Sequence, residues 1–596
     1  MSCNDSAPPN AKMWTMRTRK HIWLEVGVNS VRNLLHIPWT RKILYLVLLA
    51  FSLPIHLVYN SVLVAVGANN EQGMQIAIVT PDFLHGAPAP RNMSNLYNHR
   101  YQSLQAELPL MQRLENAARI QAYGQSDIFD WGDLILVTDG HVPSDPSSGN
   151  DSLVELIAGG WPPDIPWAWM CTYWAFGKPL RNFQCDTKHL LANPAAWSLN
   201  NHSIDYCLAQ RTPENCELDF SFHLILVFII CNLVKLISVG TAMLSLNPPS
   251  LNTIGDAIAS FLAVPDPYTQ NMCLTSKSDF QHYHILSRWI SPVHPRPWTP
   301  RGHFLWIVDG PLWLICNAIG ITILVLLACV SRWVVQKTSI AYYGYTYNLS
   351  TLWKLGFGNP APFSDVDLPH SLNPYINERG MKPFLQSVLA INTPQIILAL
   401  LYILYNALFT NMGTAKEWSR FGHLHQALRV SIPTVGSRQR STYSLQFPLH
   451  YAMCLLGIFV LMHWLATESF FLDRYHVQSS GKTVVMSSTA FAPMSVILLT
   501  VAIGIVVLGG LGLSFLRLDS GIPVASNCSA AISAACHPPP GDEDAALGLV
   551  QWGVVSSDEQ GVGHCSFSSR PVKGLEPEKL YAGYQYKSRS EKTTLS

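Results

Sequence analysis

Residues 43–66, ILYLVLLAFSLPIHLVYNSVLVAV, form an apolar run without a single Asp, Glu, Lys or Arg. A helix needs roughly 20 such residues to cross about 30 Å of hydrocarbon, so this stretch reads as a membrane span. Further runs of spanning length lie at 220–244, 304–330, 384–410, 447–465 and 492–514. The expected fold is therefore an all-α transmembrane bundle of six helices. The first run starts only at Ile43 and lacks a small-residue cleavage site, which suits a signal anchor better than a removable leader.

Composition agrees with this reading. Of the 596 residues, 48% are hydrophobic and 13% charged, against roughly 25% charged in an average soluble domain. A net charge of +1 excludes a strongly basic nucleic-acid binder, so the bilayer is the expected partner.

The loops then take sides. Lys and Arg concentrate in segments 1–42, 245–303, 411–446 and 515–596, which hold 23 of the 39, whereas 67–219, 331–383 and 466–491 hold 15. Positive charge gathers on the cytoplasmic side of spans, so both termini are expected in the cytoplasm, in a plasma or secretory-pathway membrane. The long loop 67–219 is then extracytoplasmic, long enough to fold as a mixed α/β domain. It holds Cys171, Cys185, Cys207 and Cys216, an even set on the oxidising side and hence disulfide candidates with three possible pairings. The sequons at Asn92, Asn150, Asn201 and Asn348 fall on the same side as glycosylation candidates.

Within that loop, Leu104, Leu108, Met111, Leu114 and Ala118 recur at helical spacing, and residues 134–137 read as a strand. Trp161, Trp167, Trp169 and Trp174 are expected in its core. Leu24, Val28, Val31 and Leu35 suggest an interfacial helix before the first span. Beyond Arg517 no long apolar face recurs, and 515–596 is expected to be a disordered tail.

Several motifs are similar to those of a fungal family of multi-pass membrane proteins defined by an uncharacterised domain. They are SLPIHLVYNS at 52–61, WLEVG at 23–27, GDAIASFL at 255–262 with Met272-Cys273, LWKLGFG at 352–358, and QRSTY at 439–443. The resemblance runs from about Trp23 to Phe515 and implies a membrane architecture, with no reaction or ligand to carry over. It also implies further spans before Trp23 in relatives, so this chain reads as N-terminally shortened.

Ionisable groups in lipid cost about 2.5–3.5 kcal/mol on insertion scales, which singles out Lys235 and Asp309 as an expected ion pair or as groups lining a common aqueous cavity. Pro54, Pro311 and Pro394 interrupt spans that also carry His56, Asn60, Asn392 and Gln395, and broken polar helices often line substrate paths. These residues are the intramembrane candidates for an unknown small solute. Arg429, Arg438 and Arg440 are candidates for lipid phosphates. Asp256 and Asp266 with His282 and His284 offer a weaker acid/base cluster. His450 and His463 lie 13 residues apart, a haem-like spacing, but no other span supplies an inner partner for His450. Gly504, Gly509, Gly510 and Gly512 suggest close packing of the last span. No hydrolase elbow, zinc motif or nucleotide fingerprint occurs, so neither cofactor nor metal is implied. Transport or channel-like activity is the leading expectation. A structural or signalling role through the outer domain and tail is the alternative, with a membrane-embedded enzyme third.

Overall fold

The computed structural model describes residues 23–582, apart from internal segments of which the longest are 139–152, 282–294 and 358–380. Six helices are long and apolar enough to cross a membrane: Trp39–Val58, Phe222–Ser245, Gly310–Ala341, Met381–Arg420, Leu449–Ser469 and Pro493–Ser514. They are called spans one to six. Span one packs against two and four, and span six against three and five. The central core joins Leu398, Leu401 and Tyr405 of span four to Phe459 and Met462 of span five and Ile503 and Val507 of span six. Gly510 earns its place here, since a Cβ would lie 2.9 Å from the Tyr405 ring. Gly509 and Gly512 face open space, so the expected glycine seam reduces to one close approach.

The fold is not all-α. Four spans run directly into strands that form one sheet across the end of the bundle, in the order Cys216–Phe220, Leu63–Gly67, Phe470–Ser479, Lys482–Phe491. Antiparallel pairing sets Leu63 opposite Phe220 and Phe470 opposite Phe491, so the paired ladder begins where the helices end. Residues 63–66, expected to finish the first span, are therefore strand.

The segment between spans one and two forms a domain built on a five-stranded sheet in the order Met111–Leu114, Tyr206–Arg211, Trp131–Val137, Ile76–Val79, Leu153–Ile157. Both faces are covered: Ile76, Ile78, Leu134 and Leu136 point into one core, and Ala77, Val79, Ile135 and Val137 into the other. The expected strand at 134–137 lies inside Trp131–Val137. The expected long helix breaks into Asn95–Glu107, a 3-10 turn at Leu108–Leu110, strand Met111–Leu114 and helix Asn116–Tyr123. Pro109 in the turn has no amide to continue the helix, and the strand then gains a ladder partner in Tyr206–Arg211. Trp169 is buried in the core as expected, together with Trp197. Trp161 and Trp167 lie outside the described residues, as does the side chain of Trp174.

At the opposite end, the segment expected to be disordered is folded through Ala582. Its strands Leu549–Ser557 and Gly563–Ser568 form a hairpin within a sheet ordered Arg296–Pro297, Leu580–Tyr581, Gly563–Ser568, Leu549–Ser557, Gln426–Ala427. Helix Ser529–Ala534 packs on helix Ile254–Ala263, which therefore docks on protein rather than on the membrane face. Thr253 and Asp256 close a capping box at the start of that helix. Gly255 is required there, because a Cβ would lie 2.0 Å from the Arg429 carbonyl oxygen. Trp23, Leu24 and Val26 join the same core, with the Val26 amide donating to Asn527 O at 2.8 Å and Ser529 N to Leu24 O at 2.9 Å. The expected interfacial helix is thus only Val31–His36, and both ends of the described chain meet in this tail domain.

Trp552 is 2% exposed and its amide donates to Phe421 O at 2.9 Å, so it anchors the tail to the loop after span four. Trp552→Ala is expected to cost about 3–5 kcal/mol. Limited proteolysis of the full chain in detergent will then cut within 515–582 much faster than in the parent. An unchanged digestion rate would count against a folded tail.

Candidate functional site

Span one continues as helix through Pro54 and ends in a 3-10 turn at Tyr59–Ser61. Span four likewise runs through Pro394, which has no amide to donate to the preceding turn. Pro311 differs: it sits in the first turn of span three, where a missing amide leaves no bond unmade. Only two of the three prolines therefore interrupt spans, and both lie beside polar residues.

Those residues meet. Gln395 Nε2 donates to His463 O and to Thr467 Oγ1, both at 3.1 Å, and Gln395 Oε1 lies 2.5 Å from His463 Nδ1. With its amide nitrogen already donating, Gln395 accepts through Oε1, which places the proton of His463 on Nδ1. Thr467 Oγ1 lies 3.4 Å from Asn60 Oδ1, and the His56 ring stacks on His463 with centroids 5.9 Å apart. Asn392, fully buried, donates from Nδ2 to Ser61 Oγ at 3.0 Å and to Val388 O at 2.7 Å. His56, Asn60, Asn392 and Gln395 are thus brought together from spans one and four, and span five adds His463 and Thr467. Two buried polar atoms in the group, Asn60 Nδ2 and Asn392 Oδ1, have no hydrogen-bond partner among the described residues. His463 lies six residues before the end of span five, about 9 Å along the helix from the sheet. For His463 the sequence favours an interhelical hydrogen bond by a neutral imidazole over haem ligation, and Gln395 supplies that bond, whereas nothing in the sequence singles out Thr467, whose role depends on span four reaching span five.

The expected pair of Lys235 and Asp309 is not formed. Asp309 immediately precedes span three, where its Oδ2 accepts from Lys277 Nζ at 2.7 Å. Lys277 is 2% exposed; its ammonium also donates to Asn527 Oδ1 at 2.7 Å and lies 3.6 Å from Glu25. Asn411 near the end of span four donates to Asp309 at 3.3 Å and accepts from Asn527 at 3.4 Å. One buried cation therefore joins the N-terminal segment, the loop after span two, spans three and four, and the tail. Lys235 lies within span two with no acidic partner among the described residues. Nothing in the polar string Thr275-Ser276-Lys277-Ser278 marks Lys277 as buried.

The remaining candidates divide. Arg429 is committed to protein, donating to Glu417 at 2.7 Å and to Gln446 O at 3.4 Å, which removes it as a lipid-phosphate ligand. Arg438 and Arg440 are exposed. Asp256 is consumed as a cap and as acceptor for Ser431 N at 2.7 Å and Ser431 Oγ at 2.6 Å, so it does not serve as a free acid or base. His282 and His284 lie outside the described residues, as do Asn92, Asn150, Asn201, Asn348, Cys171 and Cys185. Cys216 sits in a strand, and no disulfide occurs among the described residues. Cys207 is a buried free thiol that donates to Leu114 O at 3.4 Å beside Arg119, and burial pushes it up to about 11. Its expected pairing in a disulfide is not seen among the described residues.

Six helices long and apolar enough to span, two of them carrying an internal proline beside a shared polar cluster, make this an integral multi-pass membrane protein. Residues 312–593 match a family model described as Domain of unknown function (DUF8419), and residues 15–66 match one described as Family of unknown function (DUF6536). The chain is thus similar to uncharacterised domain families at both ends. No curated protein and no solved structure matches it.

Removing one partner of a buried ion pair typically costs about 3–5 kcal/mol. Lys277→Met is therefore expected to lower the Tm in detergent sharply, whereas Lys235→Met shifts it little. Equal losses from the two would refute the assignment of Lys277 as the buried partner.

Proposed function

We propose that the protein is transport- or channel-like, with the cluster of His56, Asn60, Asn392, Gln395, His463 and Thr467 as the polar site for a small solute. The supporting observation is the pair of buried atoms, Asn60 Nδ2 and Asn392 Oδ1, left without a partner among the described residues, inside a polar group where three spans meet. In a low-dielectric interior an unmade hydrogen bond costs about 1–3 kcal/mol, and a polar solute or water recovers it. One donor and one acceptor left open suit a neutral or zwitterionic solute that both gives and takes hydrogen bonds. Neutral imidazole and amide side chains exchange such bonds without a charge crossing lipid. In this reading both termini are cytoplasmic and the outer domain faces the lumen or exterior.

The folded tail supports a second reading, a signalling protein whose tail reports on the spans through Lys277. The two readings separate in proteoliposomes loaded with sugars, amino acids, ions and polyols. Transport predicts saturable flux of one class, reduced at least tenfold by Gln395→Leu and by His463→Leu in samples whose Tm remains near that of the parent. Flux no greater than in empty vesicles across the panel, or flux indifferent to both substitutions, would leave the signalling reading.

A further inference from the structure

Helix Asn116–Tyr123, in the domain between spans one and two, buries one face: Asn116, Arg119, Ile120 and Tyr123, at the i, i+3, i+4, i+7 spacing of a core stripe. A guanidinium stands in the middle of that stripe. Arg119 is 0% exposed, and its Cζ lies 3.7 Å from the centroid of the Trp197 ring, a cation–π contact. Trp197 is itself fixed, since its indole N–H donates to Met170 O at 2.8 Å. The ring contact satisfies none of the N–H groups of Arg119: Nε, Nη1 and Nη2 all lack a hydrogen-bond partner among the described residues. Two more buried polar atoms of this core are open in the same sense. One is the donor Trp169 Nε1, whose ring meets Tyr123 edge-on with centroids 6.2 Å apart. The other is the acceptor Asn116 Oδ1, one turn before Arg119, while Asn116 Nδ2 donates to Ile204 O at 2.8 Å.

The charge of Arg119 is also uncompensated. The carboxylate nearest in sequence, Glu115, is exposed and lies 3.4 Å from Arg113. Cys207, the buried thiol of the same core, is pushed up to about 11 by burial and brings no negative charge at neutral pH. Burial lowers Arg119 only to about 10, so the guanidinium stays charged. A buried cation with neither acceptor nor counter-charge is costly, and an anion that accepts from it removes that cost.

We propose that Arg119 anchors a binding site for a small carboxylate, a hydroxy or amino acid, whose oxygens accept from its N–H fork. A planar fork pairs with a planar carboxylate through two parallel bonds, which a spherical anion cannot reproduce. Trp169 Nε1 adds a donor for the carboxylate, and Asn116 Oδ1 an acceptor for the hydroxyl or ammonium. Because the guanidinium is sealed from solvent, the ligand enters during local opening of the domain, and the test allows for slow binding. The site shares no residue with the intramembrane cluster, so the inference stands apart from the transport reading.

The test uses the full-length chain in mild detergent, in a carboxylate-free buffer, incubated for hours with L-lactate, with L-alanine, or with chloride at matched ionic strength. The expected result is a saturable rise in Tm with one of the two acids and none with chloride. Arg119→Lys keeps the charge without the fork and should weaken the apparent affinity at least tenfold, and Arg119→Met should abolish the response. Hydrogen–deuterium exchange of the parent chain should slow within 116–123 when the bound acid is added, which locates the site even where a variant fails to fold. No shift from either acid would overturn the proposal, as would an equal shift from chloride. So would a response that survives in Arg119→Met, or protection confined to other segments.

Discussion

One buried ammonium organises the molecule. Lys277 sits between Asp309 and Glu25, with the Asn527 amide completing its shell, and each of these groups belongs to a different stretch of chain. A charge at that depth is tolerable only when paired and hydrogen-bonded, so the N-terminal segment, the tail and the start of span three must arrive together. The main-chain bonds follow the same convergence, with Lys277 N donating to Val524 O at 2.9 Å and Val26 N to Asn527 O at 2.8 Å. The tail domain is consequently part of the base on which the bundle stands.

The spans were legible because their physics is local. A run of apolar side chains can satisfy its own backbone only as a helix, and the bilayer sets its length, so composition alone located all six. The tail was illegible for the opposite reason. Its core uses small residues, Ala530, Ala531 and Ala534 on a helix of only six residues and Cys528, Ala535 and Cys536 beside it, and these gain their burial from Trp23, Phe261 and Trp418 far away in the sequence. No periodicity survives in elements so short, and prolines beside acidic residues then look like solvated chain. The strands that extend spans one, two, five and six were hidden in a similar way, since an apolar strand end next to an apolar helix reads as more helix.

Polar groups show the same division between cost and partnership. That His56, Asn60, Asn392 and Gln395 are expensive in lipid was evident residue by residue, and the fold does gather them. That Asp309 needed a cation was equally evident, but the nearest intramembrane candidate, Lys235, was not the one the fold supplies. Lys277 comes from a loop that looks hydrated, and only tertiary structure could reveal it. Sequence exposes the energetic penalty of a buried polar group, whereas its compensation is a long-range contact.

Span four connects the two polar centres. Gln395 and Asn411 lie on this one helix, 16 residues apart, about 24 Å at 1.5 Å per residue. Its first centre joins the end of span one and span five, and its second holds Asp309, just before span three, and Asn527 of the tail. Pro394 falls between Asn392 and Gln395, inside the first centre, so the missing backbone bond concentrates bending where two spans are gripped at once. A bend there alters the Asn392–Ser61 contact relative to the Gln395–His463 contact while leaving the Asn411 end anchored. Span four therefore ties the polar cluster to the buried cation along one continuous helix.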